Sequence, residues 1–205
     1  MKQTNKAARQ KKTATGGSGQ ALILIDVIND FDFPRAEQLL RYALPASRKI
    51  ATLKGRAKRS HVPVIYANDN FGRWRSDFHQ QIEHCMAENR PGRAIVELLK
   101  PDDDDYFVLK PMHSAFFSTT LEVLLERLQV QRLVLTGFAA DICVLYTAND
   151  AYMRDFKVAV PCDCIASETR RQYRFALDHM TDRLKADTRA SDKVRFRSAK
   201  LGPRP

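Results

Sequence analysis

The sequence is short of the features that mark membrane and secreted proteins. No apolar run approaches the roughly 20 residues that a membrane-spanning helix needs, so we expect no contact with a membrane. The first 19 residues contain no hydrophobic segment of the kind found in secretory signals. Their Lys- and Arg-rich composition is not clearly amphipathic and gives little support for a transit peptide. We therefore expect a cytoplasmic protein.

Cysteine is scarce and poorly spaced for a structural metal site. The chain has four cysteines, which are Cys85, Cys143, Cys162 and Cys164. One residue separates Cys162 from Cys164, whereas zinc-binding pairs usually have two or more residues between them, and no second pair matches. In a chain without a secretion signal, we expect these thiols to be reduced. The composition thus predicts neither a disulfide framework nor a zinc site, and we expect no cofactor.

Acidic residues are missing from both ends of the chain. The formal net charge is +10, but residues 1–19 and residues 193–205 each carry five basic residues and no acidic one. The remaining 24 basic residues balance 24 acidic residues. We therefore predict a disordered basic tail over residues 1–19, a single domain over residues 20–192 and a basic C-terminal tail over residues 193–205. Nucleic acid binding through these tails is a less favoured alternative, because no aromatic residues are interleaved with the charges.

Apolar runs of strand length alternate along the chain with segments of helical periodicity. The alternation predicts right-handed βαβ units and an α/β fold, a three-layer sandwich with a mostly parallel sheet of five or six strands. Strands are predicted at residues 21–25, 62–67, 106–109, 132–136 and 156–160, with a short sixth strand near residues 188–193. Helices are predicted at residues 35–59, 119–129, 142–154 and 170–184, and in pieces between residues 78 and 100. Pro45 and Gly55 are expected to kink or divide the first helix.

Three ionisable residues directly follow apolar runs, at points where predicted strands end. These residues are Asp26, Lys110 and Cys143, and the carboxyl ends of parallel strands share one edge of a sheet. Taken singly, they have structural explanations: a helix cap, a solvated cation and a small buried apolar residue. Taken together, the three residues suggest a catalytic site with a reactive thiol. A lysine and a helix N-terminus both favour the thiolate form of a nearby cysteine, and an aspartate can accept its proton.

Three sequence motifs resemble those of the isochorismatase-like cysteine hydrolase superfamily. They are Leu-Ile-Asp-Val-Ile-Asn-Asp-Phe at residues 24–31, Leu-Lys-Pro-Met-His-Ser-Ala-Phe at residues 109–116 and Thr-Gly-Phe-Ala-Ala-Asp-Ile-Cys-Val at residues 136–144. The superfamily includes nicotinamidases, N-carbamoylsarcosine amidases, ureidoacrylate amidohydrolases and isochorismatases. The similarity covers about residues 20–185. It implies the Rossmann-like fold of these hydrolases and assembly into dimers or tetramers.

The resemblance also implies a set of catalytic residues. Asp26, Lys110 and Cys143 match the superfamily's catalytic triad. A non-proline cis peptide bond is implied between Phe138 and Ala139. The backbone N–H groups of Ala139 and Cys143 would then form an oxyanion hole. The implied activity is metal-independent cleavage of a C–N bond in a small amide, ureide or carbamoyl compound, through a thioester on Cys143.

Departures from the family pattern narrow the reaction. Nicotinamidases carry metal-binding histidines after the second strand, but residues 68–74 contain no histidine. His79 and His84 lie later, at a spacing that does not suit one helix face. We therefore predict no metal site. Isochorismatases often lack the nucleophilic cysteine, so the presence of Cys143 favours C–N hydrolysis. Hydrolysis of a vinyl ether C–O bond remains the alternative within this fold.

Candidate substrate-binding residues lie on the loop after the second strand and near the motifs. Arg73, Trp74 and Arg75 are predicted to bind a carboxylate or a planar group, although a surface loop or a subunit contact would suit them equally. Phe31 and Phe116 are predicted to line an apolar pocket, with core packing as the alternative.

Overall fold

A computed structural model of the chain describes residues 19–70 and 77–197. The strands are β1 (Gln20–Ile25), β2 (Val64–Asp69), β3 (Tyr106–Lys110), β4 (Arg132–Phe138), β5 (Lys157–Ala159) and β6 (Ile165–Ala166). The α-helices are α1 (Ala36–Arg59), α2 (Phe78–Met86), α3 (Arg93–Leu98), α4 (Leu121–Arg127), α5 (Leu145–Met153) and α6 (Arg170–Asp182). A π-helical turn, Ala140–Val144, precedes α5, and short 3₁₀ turns occupy Cys162–Cys164 and Ser191–Lys193.

The strands form one parallel sheet in the order β3-β2-β1-β4-β5, with β6 paired to the end of β4. Every strand pairing is parallel. Helices cover both faces, so the predicted α/β sandwich is confirmed.

The sixth strand is not where the sequence suggested. Residues 188–193 form no strand, and this region contributes only a bridge between Asp187 and Ala159. The sixth strand is instead Ile165–Ala166, which lies beside Gly137 and Phe138. A strand of two residues is too short to produce a period of two, so pattern analysis could not find it.

Helix α1 runs unbroken for 24 residues, although Pro45 and Gly55 both lie inside it. Pro45 is exposed, on the solvent side of the helix, where a missing backbone N–H causes little loss. The opposite stripe is apolar and buried, and it packs on one face of the sheet. The prediction that these residues divide the helix was therefore wrong, whereas a kink at either residue stays a prediction.

The central strand β1 has side chains in two separate cores. Leu22 and Leu24 pack beneath α1, whereas Ile23 and Ile25 pack with residues of α4, α5 and α6 on the other face. All four are completely buried. Burial on both faces explains why the strand reads as a continuous apolar run instead of an alternating one.

The chain after the last 3₁₀ turn packs against the domain. Arg56 donates a hydrogen bond to the carbonyl oxygen of Ser191 at 2.7 Å and another to that of Val194, whose side chain is buried. The backbone N–H of Arg197 donates to Oε1 of Gln20 at 2.9 Å. Residues 194–197, assigned to a C-terminal tail by composition, thus contact β1. Residues 1–18 and 198–205 of the predicted tails lie outside the described residues.

Among the described residues, no helix is long and apolar enough to cross a membrane. The cytoplasmic location stays a prediction.

Candidate active site

The carboxyl ends of β1, β3 and β4 bring three functional side chains together. Asp26 follows β1 directly, with a left-handed backbone at φ 51°. Lys110 is the last residue of β3. Cys143 lies in the π-helical turn that follows β4. The sequence predicts these residues at one edge of the sheet. The structure places them there, with Lys110 in contact with both Asp26 and Cys143.

Lys110 is the centre of this cluster. Its Nζ atom lies 2.8 Å from Oδ2 of Asp26 and 3.6 Å from Sγ of Cys143. It also donates to the carbonyl oxygen of Met112 at 3.3 Å. The lysine side chain is completely buried, and that of Asp26 is 10% exposed. An ammonium has three donors, and this geometry assigns one to each of the three acceptors.

Burial and charge shift the pKa values of all three groups. Burial raises the pKa of Asp26 above its ordinary value, and the nearby Lys110 charge only partly opposes this. Burial also raises the pKa of the Cys143 thiol well above its ordinary value, and the Asp26 charge raises it further. Burial lowers the pKa of Lys110, but the charges of Asp26 and Cys143 outweigh that effect and leave it raised. These shifts favour the protonated form of the thiol and the charged form of the lysine.

The turn between β4 and Cys143 depends on a glycine. Gly137 has φ +114°, and a Cβ atom there would lie 2.0 Å from the carbonyl oxygen of Ile25 on the neighbouring strand. The next peptide bond, between Phe138 and Ala139, is cis. The carbonyl oxygen of Ala139 accepts hydrogen bonds from the N–H groups of Ile142 and Val144. An oxyanion hole formed by Ala139 and Cys143 stays a prediction.

Asp69 belongs to the site but was not singled out from the sequence. Its backbone N–H donates to Oδ1 of Asp26 at 2.7 Å, and its Oδ2 lies 3.7 Å from Nζ of Lys110. Strand β2 extends two residues further than its apolar run, and this extension carries Asp69 to the active edge. Asp69 reaches the site because the strand register pairs it with Lys110, and the sequence alone does not give this register.

His113 is a second residue that the sequence analysis passed over. Its Nδ1 atom lies 4.0 Å from Sγ of Cys143, and its ring centroid lies 5.6 Å from that of Tyr146. The histidine is exposed, so it borders the thiol from the solvent side. His113 lies three residues after Lys110 in the motif at residues 109–116. This short separation from Lys110 is the sequence feature that could have identified it as a site residue.

The two phenylalanines proposed as pocket residues are both buried in the core. Phe31 is 2% exposed, and its ring lies 6.3 Å from that of Phe138, the residue before the cis bond. Phe116 is 5% exposed and packs against Phe156 and the guanidinium of Arg154. Phe31 is thus next to the active turn, whereas these contacts of Phe116 involve no triad residue. Arg73, Trp74 and Arg75 lie outside the described residues.

The described residues include one cluster of carboxylates close enough to hold a cation. It consists of Asp102, Asp104 and Asp105, and none of them contacts the triad. Lys54 and Lys58 already form ion pairs with this cluster, so two ammonium groups offset part of the charge of its three carboxylates. Near the active edge, Nε2 of His84 lies 2.9 Å from Oδ2 of Asp30.

Comparisons with known proteins agree with this geometry. A family model described as the isochorismatase domain matches residues 20–191. The isochorismatase family protein YaaI of Bacillus subtilis (strain 168) is 39% identical over 175 residues, which cover 85% of this chain and 96% of YaaI.

Two solved structures are also similar to this chain. N-carbamoylsarcosine amidase from Thermoplasma acidophilum is 25% identical, with a TM-score of 0.67, over 85% of this chain and 98% of that one. The pyrazinamidase/nicotinamidase from Streptococcus mutans UA159 is 28% identical, with a TM-score of 0.65, over 82% and 99% of the two chains.

Proposed function

This chain belongs to the isochorismatase family and is a hydrolase, and from that premise we propose that it cleaves a C–N bond with Cys143 as the nucleophile. The substrate class is a small amide, ureide or carbamoyl compound, and the reaction uses no metal. One observation carries the proposal: the buried Nζ atom of Lys110 lies 3.6 Å from the Cys143 thiol and 2.8 Å from the Asp26 carboxylate, which brings a thiol, a cation and a carboxylate together. The similarity to two amidases supports a C–N bond as the target.

The first step forms a covalent bond to the substrate. Asp26 removes the thiol proton as Sγ of Cys143 attacks the carbonyl carbon, and the carbonyl π electrons move onto oxygen. Because the pKa of Asp26 is raised, this carboxylate is a stronger base than an ordinary aspartate. Lys110 offsets the negative charge as it moves from carboxylate to thiolate. The N–H groups of Ala139 and Cys143 would hold the oxyanion.

The second step releases the nitrogen product. The tetrahedral intermediate collapses, the C–N bond breaks and Asp26 returns its proton to the leaving amine or ammonia. A thioester on Cys143 remains. Water then attacks the thioester, with Asp26 accepting the water proton, and the returning thiolate takes that proton back. The cycle restores the protonated thiol that the resting geometry favours.

The test combines turnover with detection of the intermediate. Release of ammonia or amine should be measured for amides, ureides and carbamoyl compounds, with wild-type protein, Cys143→Ala and the matched control Cys162→Ala. We expect turnover to be lost in Cys143→Ala alone. Intact mass spectrometry of quenched reactions should show the acyl group on Cys143. Full turnover by Cys143→Ala would overturn the proposal, as would hydrolysis confined to vinyl ether compounds.

We also propose that the protein assembles into dimers or tetramers. Large apolar side chains on α5 support this proposal, since Tyr146 is 55% exposed and Met153 is 70% exposed. Apolar surface of this kind often marks a contact between subunits. Light scattering after size-exclusion chromatography should give a mass that is a multiple of 23.4 kDa. A monomer across micromolar concentrations would contradict it.

A further inference from the structure

We propose that a cleft between helices α1 and α6 is a second binding site, separate from the triad, for a small organic anion with a flat apolar group. The cleft has a volume of about 420 Å³, which lies in the range of small-molecule sites. We call it the α1–α6 cleft. Its lining includes Tyr42 and Lys49 of α1, Arg170, Tyr173 and Arg174 of α6, and Ser167 between β6 and α6.

The charge of the cleft favours an anion. Lys49, Arg170 and Arg174 line it, and within residues 19–70 and 77–197 none of them forms an ion pair. One carboxylate, Asp163, also lines the cleft. Both of its oxygens already accept hydrogen bonds from Ser191, one from the backbone N–H at 2.7 Å and one from the hydroxyl at 2.8 Å. The lining therefore contains three cationic side chains and one carboxylate, and that carboxylate already accepts hydrogen bonds from Ser191.

The start of α6 strengthens this preference. Arg170 is the first residue of a 13-residue helix, and the N-terminus of a helix carries partial positive charge. The side chain of Thr169 caps only the N–H of Gln172. Arg170 and the helix dipole therefore both favour an anion near the start of α6.

The walls suit a flat apolar group. The Tyr173 hydroxyl donates to the carbonyl oxygen of Cys162 at 2.8 Å, which holds one aromatic ring in place. Tyr42 supplies a second ring and Pro45 and Ala46 supply apolar surface. The cleft therefore has two aromatic rings and an aliphatic surface along its lining.

The cleft is distinct from the triad but adjoins its supporting turn. Asp26, Lys110 and Cys143 do not line it. Its floor includes β6, which pairs with Gly137 and Phe138 just before the cis bond. The proposal therefore stands on its own residues and does not depend on the chemistry proposed for Cys143.

The probe for this site is 2-naphthoate, with 2-naphthylmethanol as its neutral counterpart. Ligand-observed NMR titration of the full chain should give a Kd on the order of 1 mM or tighter for the anion. The alcohol should bind at least about tenfold more weakly, because it forms no charge-assisted hydrogen bond. Raising the salt concentration should weaken binding of the anion, since the three cations are near the surface.

The Kd of 2-naphthoate for a set of variants tests whether this probe binds in the α1–α6 cleft. Arg170→Gln and Arg174→Gln should each weaken binding by about tenfold. Arg171→Gln, an exposed change on the same helix outside the cleft lining, should not change it. Asp26→Asn should leave the Kd within about twofold, whereas a probe bound at the triad would respond to that change. Equal binding of acid and alcohol, equal affinity of the Arg170 and Arg171 variants, or no binding at millimolar concentration would each overturn the proposal.

Discussion

The Nζ atom of Lys110 lies 2.8 Å from Oδ2 of Asp26, closer than the 3.6 Å that separates it from Sγ of Cys143. The positive charge is therefore shared first with the carboxylate. The sequence suggested that a lysine and a helix N-terminus would together favour a thiolate. Burial and the Asp26 charge outweigh both effects, and the pKa of the thiol is raised. Under the proposed mechanism, the thiolate is therefore formed during the reaction and is not present beforehand.

Replacing Asp26 with Asn should abolish turnover and make Cys143 more reactive. The amide removes the charge that raises the thiol pKa and leaves Lys110 free to attract the thiolate. Iodoacetamide labelling of Cys143 at pH 7 should accelerate by about tenfold for each unit by which the thiol pKa falls. Peptide mass spectrometry gives the rate for each cysteine. Asp182→Asn, an exposed change at the end of α6, is the control. An unchanged or slower labelling rate would contradict the charge assignment.

Lys110→Met should destabilise the fold strongly. The change keeps most of the side-chain volume but leaves the Asp26 carboxylate buried without its cation, which costs about 3–5 kcal/mol. Urea unfolding measures the loss. The double variant Asp26→Asn/Lys110→Met should recover much of it, because no unpaired charge remains. If the two single changes simply add, the pair does not interact as described. Lys157→Met, an exposed change at the start of β5, controls for the loss of charge.

The acid limb of the pH profile should report on Asp26. Asp26 must be unprotonated to accept the thiol proton, so activity should fall as the pH drops through its pKa. Burial raises that pKa above the ordinary value of 3.8, so the midpoint should lie above 3.8. The measurement is kcat/KM against pH, with a substrate that does not titrate in this range. A midpoint at or below 3.8 would show that Asp26 is not the base.

Gly137→Ala should destabilise the protein by about 3 kcal/mol or more, because the new Cβ meets the backbone of Ile25 and the positive φ disfavours any side chain. Gly55→Ala provides a matched comparison within α1, where the new methyl group would lie 3.5 Å from a flexible Arg59 side chain. That change should stabilise the fold by about 0.5–1 kcal/mol. Thermal and urea unfolding of both variants check the contrast. Similar effects at both positions would contradict the close approach of β1 and β4.

Periodicity and alternation were sufficient to predict the sheet, its parallel strands and the edge where the site lies. Asp26 could be found because it directly follows an apolar run, and Lys110 because it ends one. Cys143 could be found because it lies in the turn after the apolar run of β4. The motifs added the superfamily, which the domain match and the relatives confirm.

Other features depended on pairing between distant segments and could not be predicted. Asp69 reaches the site through the register of β2 against β3, and β6 exists only because it pairs with β4. The balance of charge among the triad depends on distances that differ by less than 1 Å, which no sequence pattern encodes. The continuity of α1 through Pro45 likewise depends on which side of the helix meets solvent.

The contact between Gln20 and the chain near Arg197 has a consequence for how the basic ends of the protein are presented. Gln20 begins β1, and its side chain binds the backbone of residues 195 and 197. Arg195 and Arg197 therefore lie beside the amino end of β1. Asp26 follows the carboxyl end of that strand, about 20 Å away at roughly 3.3 Å per residue. A partner that bound the molecule beside Arg195 and Arg197 would therefore meet the end of β1 that is opposite to Asp26.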